Sequence, residues 1–443
     1  MCQQHIDSEG VELAPSGGPS GRPLSQGGSL NPAAEPFPWD VGVFDAHCHP
    51  TDTMSSVATI PHMKARGLTV MSTRLQDQDL VLDVAREQGV QNKDSLFSSQ
   101  TTQELERRFI PSFGWHPWFS YQLYDDTAPG ATNYDGSPES KVTHYDKILA
   151  PAPSAKNPGF STGLPDPRPL SQFIRETRER LDKSPFALVG EVGLDKAFRI
   201  PESWTSSSST DAVEENMPQR DESLTPGGRE GRQLSPHRVS LDHQSAILKA
   251  QLKLAGEMHR AASVHGVQVH GALYNVLAEC WKGHEKEVLS KREKKRIAAN
   301  AENFEDTSDE ENDNDSKAKK QRKEKPFPPR LCLHSYSGPV NMLKQYIHPS
   351  VPVVIFFSFS VAINWDPEAG ADADKNKKTA DAIRAAPDDR ILVESDLHTA
   401  GDRMDQALED ACRLVCSIKG WPLREGVERL ARNWRHFVFG DEL

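Results

Sequence analysis

Residues 41–49 read Val-Gly-Val-Phe-Asp-Ala-His-Cys-His, an apolar run that ends in a His-x-His pair. Side chains at positions i and i+2 of a β-strand point to the same face, so His47 and His49 can present two imidazoles to one metal ion while Cys48 points away. Two neighbouring histidines are common by chance, and this pair gains meaning only from later segments of the same kind. We therefore predict a strand here and treat both histidines as candidate metal ligands.

Short apolar segments rich in β-branched residues recur along the chain, separated by stretches with helical periodicity such as 77–88 and 241–265. Strands that alternate with helices form parallel sheets through right-handed crossovers. Eight such units predict an α/β fold, a (β/α)8 barrel of the TIM type. The predicted strands cover residues 41–45, 68–73, 109–113, 186–192, 266–270, 331–334, 353–358 and 391–396.

The composition indicates one folded domain with long polar additions. The chain has 443 residues, a net charge of -12 and a mean hydropathy of -0.63, which is low for a chain that is packed throughout. We expect a disordered tail over residues 1–38 and a single barrel domain over 39–443. Three stretches without the pattern of a packed element are predicted insertions, at about 119–168, 200–236 and 284–328.

The net charge and the cysteines indicate which partners and which cellular compartment to expect. A net negative charge argues against the broad basic face of most non-specific nucleic-acid binders. The scattered cysteines favour reduced thiols. No apolar run reaches membrane-spanning length and the N-terminus is not a signal peptide, so we expect a protein of the cytoplasm, the nucleus or both, with no membrane association. Basic clusters at 291–296 and 317–325 fit either a nuclear-import signal or a solvated linker.

Residues that can bind metal stand at the carboxyl ends of the predicted strands, where the reactive groups of such barrels collect. Four imidazoles and two carboxylates are about the ligand set of two divalent ions that share a bridging carboxylate and leave positions for water. Each residue alone could be a core histidine, a helix cap or an ion-pair partner, but independent causes for all six are improbable. The predicted metal ligands are His47, His49, Glu191, His270, His334 and Asp396.

The order of motifs along the chain resembles the TatD-like metal-dependent deoxyribonucleases, in a long branch of the kind found in fungi, with insertions. The matching segments are 45–49 with Asp52, 114–117, 190–195, 269–270, 334–338 and 394–396. The resemblance implies an amidohydrolase-type barrel with two divalent metal ions, Mg, Mn or Zn. It also implies that His47 and His49 bind one ion, that His270 and His334 bind the other, and that Glu191 bridges them. Asp396 would be both ligand and catalytic base.

The resemblance further implies hydrolysis of phosphodiester bonds by a metal-activated water, with Asp396 and Glu191 as catalytic residues and DNA, including single-stranded DNA, as substrate. His116 would contact the phosphate, or would instead be a loop histidine packed beside Trp115 and Trp118. These two rings, with Phe119, could stack on bases or form an apolar rim.

Two departures and two alternative functions accompany this prediction. The family usually continues after Asp396 with a short Pro-containing segment, whereas this chain reads Leu-His-Thr-Ala-Gly over 397–401; after His270 it has Gly-Ala-Leu in place of a turn with Ser or Arg. An inactive or weakly active barrel could act as a scaffold that binds protein partners through its insertions. An amidohydrolase acting on an amide or ester is the second alternative, although many such barrels bridge their metals with a carboxylated lysine where this chain has Glu191.

Overall fold

Eight parallel strands form one sheet in the order in which they occur in the chain. The computed structural model describes residues 35–97, 107–127, 134–155, 157, 159–202, 233–288, 325–370 and 373–440. The strands are β1 Phe44–Cys48, β2 Gly67–Met71, β3 Phe109–Phe113, β4 Leu188–Asp195, β5 Ala262–Val267, β6 Arg330–Leu333, β7 Val354–Phe359 and β8 Ile391–Val393. The predicted (β/α)8 barrel is confirmed.

The barrel closes between β8 and β1, just beyond the end of β8. The backbone N–H of Asp396 donates to the carbonyl of His47 at 3.0 Å, and the N–H of His49 donates to the carbonyl of Leu397 at 2.8 Å. The buried Asp45 carboxylate accepts the backbone N–H of Ser395 at 3.1 Å and also the Ser395 hydroxyl. We call these contacts the seam of the barrel, and they lie at the end of β1 that carries the His-x-His pair.

Helices cover the outside of the barrel. Those that the structure describes are α1 Leu75–Gln88, α2 Pro138–Ile148, α3 Phe160–Gly163, α4 Leu170–Lys183, α5 Leu241–Glu257, α6 His270–Trp281, α7 Val340–Tyr346, α8 Val361–Asn364, α9 Asp374–Ala385, α10 Asp402–Lys419 and α11 Leu423–Phe439. Helix α11 supports the first strand, since the Trp434 ring stacks on Phe44 at 4.4 Å and its indole N–H donates to the carbonyl of Asp45 at 3.2 Å. This contact anchors the strand that presents His47.

The region around β5 differs from its prediction. The helix predicted over 241–265 ends at Glu257, and the strand predicted over 266–270 lies at Ala262–Val267. His259 and Gln268 have φ values of 53° and 55°, a backbone conformation that interrupts both helices and strands. The two residues therefore bracket the true strand, which an apolar pattern alone does not reveal.

The stretch 119–168, predicted to lack packed elements, contains α2 and α3 among its described residues. These helices pack with α4 and α5 around a second apolar cluster. The prediction was wrong because Pro and Gly turns break the apolar periodicity between short helices. The cluster consists of Trp115, Trp118, Phe119, Tyr121, Leu123, Tyr145, Ile148, Leu149, Phe160, Leu170, Phe173, Phe198, Ile200, Val239 and Ile247.

Residues 1–34, 203–232 and 289–324 lie outside the described residues, so the tail and the other two insertions stay predictions. Within the predicted tail, Phe37 is described and packs against the main apolar core. The described cysteines, from Cys48 to Cys416, are free, which matches the expectation of reduced thiols. None of the described helices is long and apolar enough to cross a membrane.

The second cluster contains a buried histidine that should make stability depend on pH. The ring of His144 contacts the carbonyl of Tyr121 through Nε2 at 3.2 Å, while its Nδ1 has no hydrogen-bond partner. Burial lowers the pKa of His144 to about 4. Because this value is below that of the unfolded chain, the unfolded chain binds more protons, and stability falls as the pH drops from about 6.5 towards 4.

We expect His144→Gln to abolish this dependence of stability on pH, while the glutamine amide still donates to the carbonyl of Tyr121. Between about pH 7 and pH 4.5, the wild type should lose about 2 to 3 kcal/mol more unfolding free energy than the variant. Urea unfolding followed by tryptophan fluorescence at both pH values measures the difference. The exposed His348→Gln serves as control. Parallel losses in wild type and His144→Gln would contradict the prediction.

Candidate metal centre

Buried imidazoles and carboxylates meet inside the barrel at the carboxyl ends of the strands. They come from six strands or the residues that closely follow them, and Glu191 of β4 lies at their centre. The residues brought together are His47, His49, His116, Glu191, His265, His334 and Asp396, all at most 6% exposed.

One half of the centre faces Glu191 Oε2. This oxygen lies 3.5 Å from His47 Nε2 and 3.4 Å from His49 Nε2. Asp396 Oδ1 lies 3.8 Å and 3.5 Å from the same two nitrogens, which are 3.1 Å apart. His47, His49 and Asp396 are thus close enough to hold one metal ion. The strand predicted over 41–45 runs over Phe44–Cys48, and both rings of the His-x-His pair reach the same point.

The other half faces Glu191 Oε1. This oxygen lies 2.9 Å from His334 Nε2, 3.0 Å from His265 Nδ1 and 3.2 Å from His116 Nε2. The facing nitrogens of His265 and His334 are 3.1 Å apart. Glu191 therefore offers one oxygen to each of two sets of nitrogens, as a carboxylate bridging two ions would.

The structure does not bring His270 to this centre. His270 is the first residue of α6, is partly exposed and lies 6.2 Å from Tyr336 between ring centroids. His265, which the sequence pattern did not single out, occupies the place predicted for His270. Both histidines follow a valine, and the strand was predicted around the wrong Val-His pair. A usable signal was the alternation Ser263-x-His265, because residues i and i+2 of a strand share one face. In the structure that face is the inner one, where Ser263 Oγ lies 2.9 Å from His47 Nδ1.

Unpaired polar atoms test whether divalent ions fit these residues. Both oxygens of Glu191 and of Asp396, together with His334 Nδ1 and His116 Nε2, are buried without a hydrogen-bond partner of good geometry. Buried unpaired carboxylates cost several kcal/mol unless a cation compensates them. Imidazole nitrogens and carboxylate oxygens are ligands that suit Zn and Mn, and carboxylates suit Mg. The residues present therefore fit a metal centre.

His116 differs from the other imidazoles in the way it faces Glu191. Its Nδ1 accepts the backbone N–H of Trp118 at 3.1 Å, which caps the short helix that starts at Pro117. A neutral imidazole carries its proton on the other nitrogen, so His116 presents an N–H at Nε2 and no lone pair. Burial lowers the pKa of His116 to about 4, which keeps it neutral near pH 7. The geometry thus favours a hydrogen-bond donor over a metal ligand.

The charges of the centre stabilise its carboxylates in the ionised form. Burial by itself raises the pKa of Asp396, but His49 and His47 beside it hold the pKa well below its usual range. Burial likewise opposes ionisation of Glu191, and the neighbouring His116, His334 and His47 outweigh it, so this pKa is also lowered. The same carboxylates raise the pKa of His49 to about 9 against the effect of its burial. Both carboxylates are ionised at neutral pH.

The aromatic residues after β3 are packed and do not line an open groove. Trp115 and Trp118 are 1% and 5% exposed, and the Trp118 ring stacks on Phe198 with centroids 4.5 Å apart. Phe119 is buried in the same cluster. Their faces are thus covered by protein, which argues against stacking on bases.

A parallel (β/α)8 barrel with histidines and carboxylates gathered at the carboxyl ends of its strands is the architecture of metal-dependent hydrolases. The family model described as TatD related DNase matches residues 44–438. The chain belongs to this family.

Two named relatives and two solved structures extend the comparison. The chain is 33% identical over 396 residues to the Cut9-interacting protein scn1 of Schizosaccharomyces pombe, covering 89% of this chain and 98% of that protein. It is 26% identical over 287 residues to the uncharacterized deoxyribonuclease YMR262W of Saccharomyces cerevisiae, 64% of each chain. An uncharacterized amidohydrolase from Saccharomyces cerevisiae has a TM-score of 0.48 at 11% identity, covering 89% of this chain and 98% of that one. A TatD homologue from Escherichia coli has a TM-score of 0.44 at 15% identity, covering 91% and 100%.

Proposed function

We propose that this chain is a deoxyribonuclease that hydrolyses phosphodiester bonds with two divalent metal ions, Mg, Mn or Zn. One observation carries the proposal: the two oxygens of Glu191 face two separate sets of imidazoles, next to an ionised Asp396 without a partner of its own. Membership in the TatD related DNase family supports the same reaction class. His47, His49 and Asp396 would hold one ion, His265 and His334 the other, and Glu191 both.

The protein's own residues supply proton acceptance and substrate contact. When bound, a pair of divalent ions would lower the pKa of water and neutralise charge on the phosphoryl oxygens. Asp396 is ionised and its Oδ2 is buried without a partner, so it can accept the proton of an attacking water. His116 can donate its Nε2–H to a phosphoryl oxygen that enters beside Glu191. The burial of these groups keeps bulk water from competing for either hydrogen bond.

Asp396→Asn tests the proposal because it keeps the shape of the side chain and removes the proton acceptor. We expect cleavage of single-stranded or double-stranded DNA by the wild type in at least one of Mg, Mn and Zn, and a loss of about 10²- to 10⁴-fold in the variant. The control is Asp381→Asn, on the exposed part of α9. If wild type and Asp396→Asn are equally inert with all three metals, the nuclease proposal fails.

The amidohydrolase alternative is tested in the same assay by adding amide and ester substrates. The bridging position is a glutamate in this chain, and the second set of imidazoles approaches its carboxylate directly. This arrangement favours the phosphodiesterase over barrels that resemble it but use a carboxylated lysine. Hydrolysis of amides or esters without cleavage of DNA would favour the amidohydrolase over the phosphodiesterase.

A second candidate function is protein interaction, with or without catalysis. The relative that is 33% identical is named for its interaction with Cut9. A protein partner bound through the predicted insertions, in the cytoplasm or the nucleus, would agree with that name. Metal content per chain, measured beside His47→Ala, separates the two: an inactive scaffold should hold no more metal than the variant.

A further inference from the structure

Behind the candidate metal centre lies a carboxylate that is itself neither a proposed metal ligand nor a proposed substrate contact. Asp195, the last residue of β4, is buried and has four nitrogen atoms within hydrogen-bond distance of its carboxylate. Its Oδ1 accepts the backbone N–H groups of Ala197 at 2.6 Å and Phe198 at 2.9 Å. Its Oδ2 accepts the Trp118 indole N–H at 2.6 Å and lies 3.2 Å from His265 Nε2.

This contact decides which nitrogen of His265 carries the proton. A carboxylate surrounded by donors can only accept, so the proton between Asp195 and His265 belongs to Nε2. The lone pair of the neutral ring is then on Nδ1, the nitrogen that faces Glu191 and His334. A metal-ligating histidine held in this way by a carboxylate is oriented and made more basic.

Trp118 connects this arrangement with His116. Its backbone N–H donates to His116 Nδ1, and its indole N–H donates to Asp195 Oδ2. Both histidines consequently carry a proton on Nε2, but they turn opposite edges to Glu191 Oε1. His116 presents an N–H there and His265 presents a lone pair.

We propose that Asp195 and Trp118 are positioning residues, which make His265 a metal ligand and His116 a hydrogen-bond donor at the same oxygen of Glu191. The inference rests on the proposed function only in calling that lone pair a ligand. An asparagine cannot replace Asp195, because four donors surround the group and one side of an amide is itself a donor. In either orientation its NH2 would oppose an N–H.

The experiment compares matched pairs in the full chain. Asp195→Asn is paired with Asp405→Asn, because Asp405 is a buried carboxylate that accepts two backbone N–H groups, of Lys64 and Ala65, on the outside of the barrel. Trp118→Phe is paired with Trp115→Phe, because the Trp115 indole donates to a carbonyl of the same second cluster at 2.8 Å. Isothermal titration with Zn and with Mn reports metal affinity, and thermal unfolding reports stability separately.

We expect Asp195→Asn to weaken binding of one ion about 10- to 100-fold. Trp118→Phe should weaken it less, since Asp195 keeps its contact with His265. Asp405→Asn and Trp115→Phe should lower stability without changing metal affinity. Equal affinity in Asp195→Asn and wild type, or equal losses in the controls, would overturn the inference.

A second measurement needs no folded variant of Asp195. In wild-type protein labelled with ¹⁵N-histidine, the His265 signal, assigned by its loss in His265→Gln, should show a protonated Nε2 both without metal and with Zn. An unprotonated Nε2 would overturn the inference. If the wild type bound no divalent ion, the proposed function would fail, and the metal-free spectrum would still support or overturn the assignment of this proton.

Discussion

Replacing His265 by alanine should remove one of the two proposed ions and lower metal-dependent hydrolysis by about 10²-fold or more. His265 Nδ1 lies 3.0 Å from Glu191 Oε1 and 3.1 Å from His334 Nε2, so the substitution deletes one of the two imidazoles proposed as metal ligands beside that oxygen. The remaining His334 and Glu191 would bind a second ion weakly. The half of the centre around His49 stays complete. Metal content after dialysis should therefore fall from two ions per chain to one.

The matched control for this prediction is His270→Ala, five residues along the chain. His270 follows a valine as His265 does, but it lies at the start of α6. The described ion pairs of Glu191 do not include His270. Activity and metal content should stay at the wild-type level. The reverse result, with His270→Ala inactive and His265→Ala active, would show that His270, as predicted from the sequence, is the ligand.

Glu191→Gln should have a larger effect, because it removes the only group that faces both sets of imidazoles in the described centre. Glutamine has nearly the same shape but no negative charge, and its NH2 would point a donor at imidazole nitrogens on one side. We expect both ions to be lost and hydrolysis to fall by about 10⁴-fold. The activation free energy would then rise by twice the amount expected for the loss of one ion.

Two readouts separate this result from simple misfolding. Circular dichroism should show an intact barrel, since glutamine keeps the shape of the side chain and the backbone N–H of residue 191 still donates to the carbonyl of Ser72. Metal content distinguishes the variants, at none for Glu191→Gln and one for His265→Ala. A Glu191→Gln protein that retains two tightly bound ions would refute the bridging role.

Much of the barrel could be predicted because its strands are short, apolar and regularly separated by helices. The bounds of β3 match the prediction, Phe109–Phe113, and Ile391 was correctly taken as the first residue of β8. The position of each candidate ligand near the end of a strand follows from parallel topology alone. His47, His49, Glu191, His334 and Asp396 were accordingly singled out as candidates without knowledge of any contact.

The rest could not be predicted because it depends on backbone conformation and tertiary contact. The left-handed backbone at Gln268 ends β5 before His270, and nothing in a run of Val-Gln-Val signals it. The second cluster was missed for a similar reason, since α2 and α3 are joined by turns rich in Pro and Gly. The function of Asp195 appears only when its four contacts are seen together: two from the local backbone, one from Trp118 after β3 and one from His265 of β5.

The seam of the barrel has a consequence for biosynthesis. The contact of Ser395 with Asp45 joins residues 350 positions apart, and Asp396 and His47 meet in the same place. Contacts between distant parts of a chain form late, after the entropy of closing the intervening loop has been overcome. A nascent chain that still lacks its last strand has neither a closed barrel nor Asp396. The proposed hydrolytic centre is therefore complete only when synthesis of the barrel is complete.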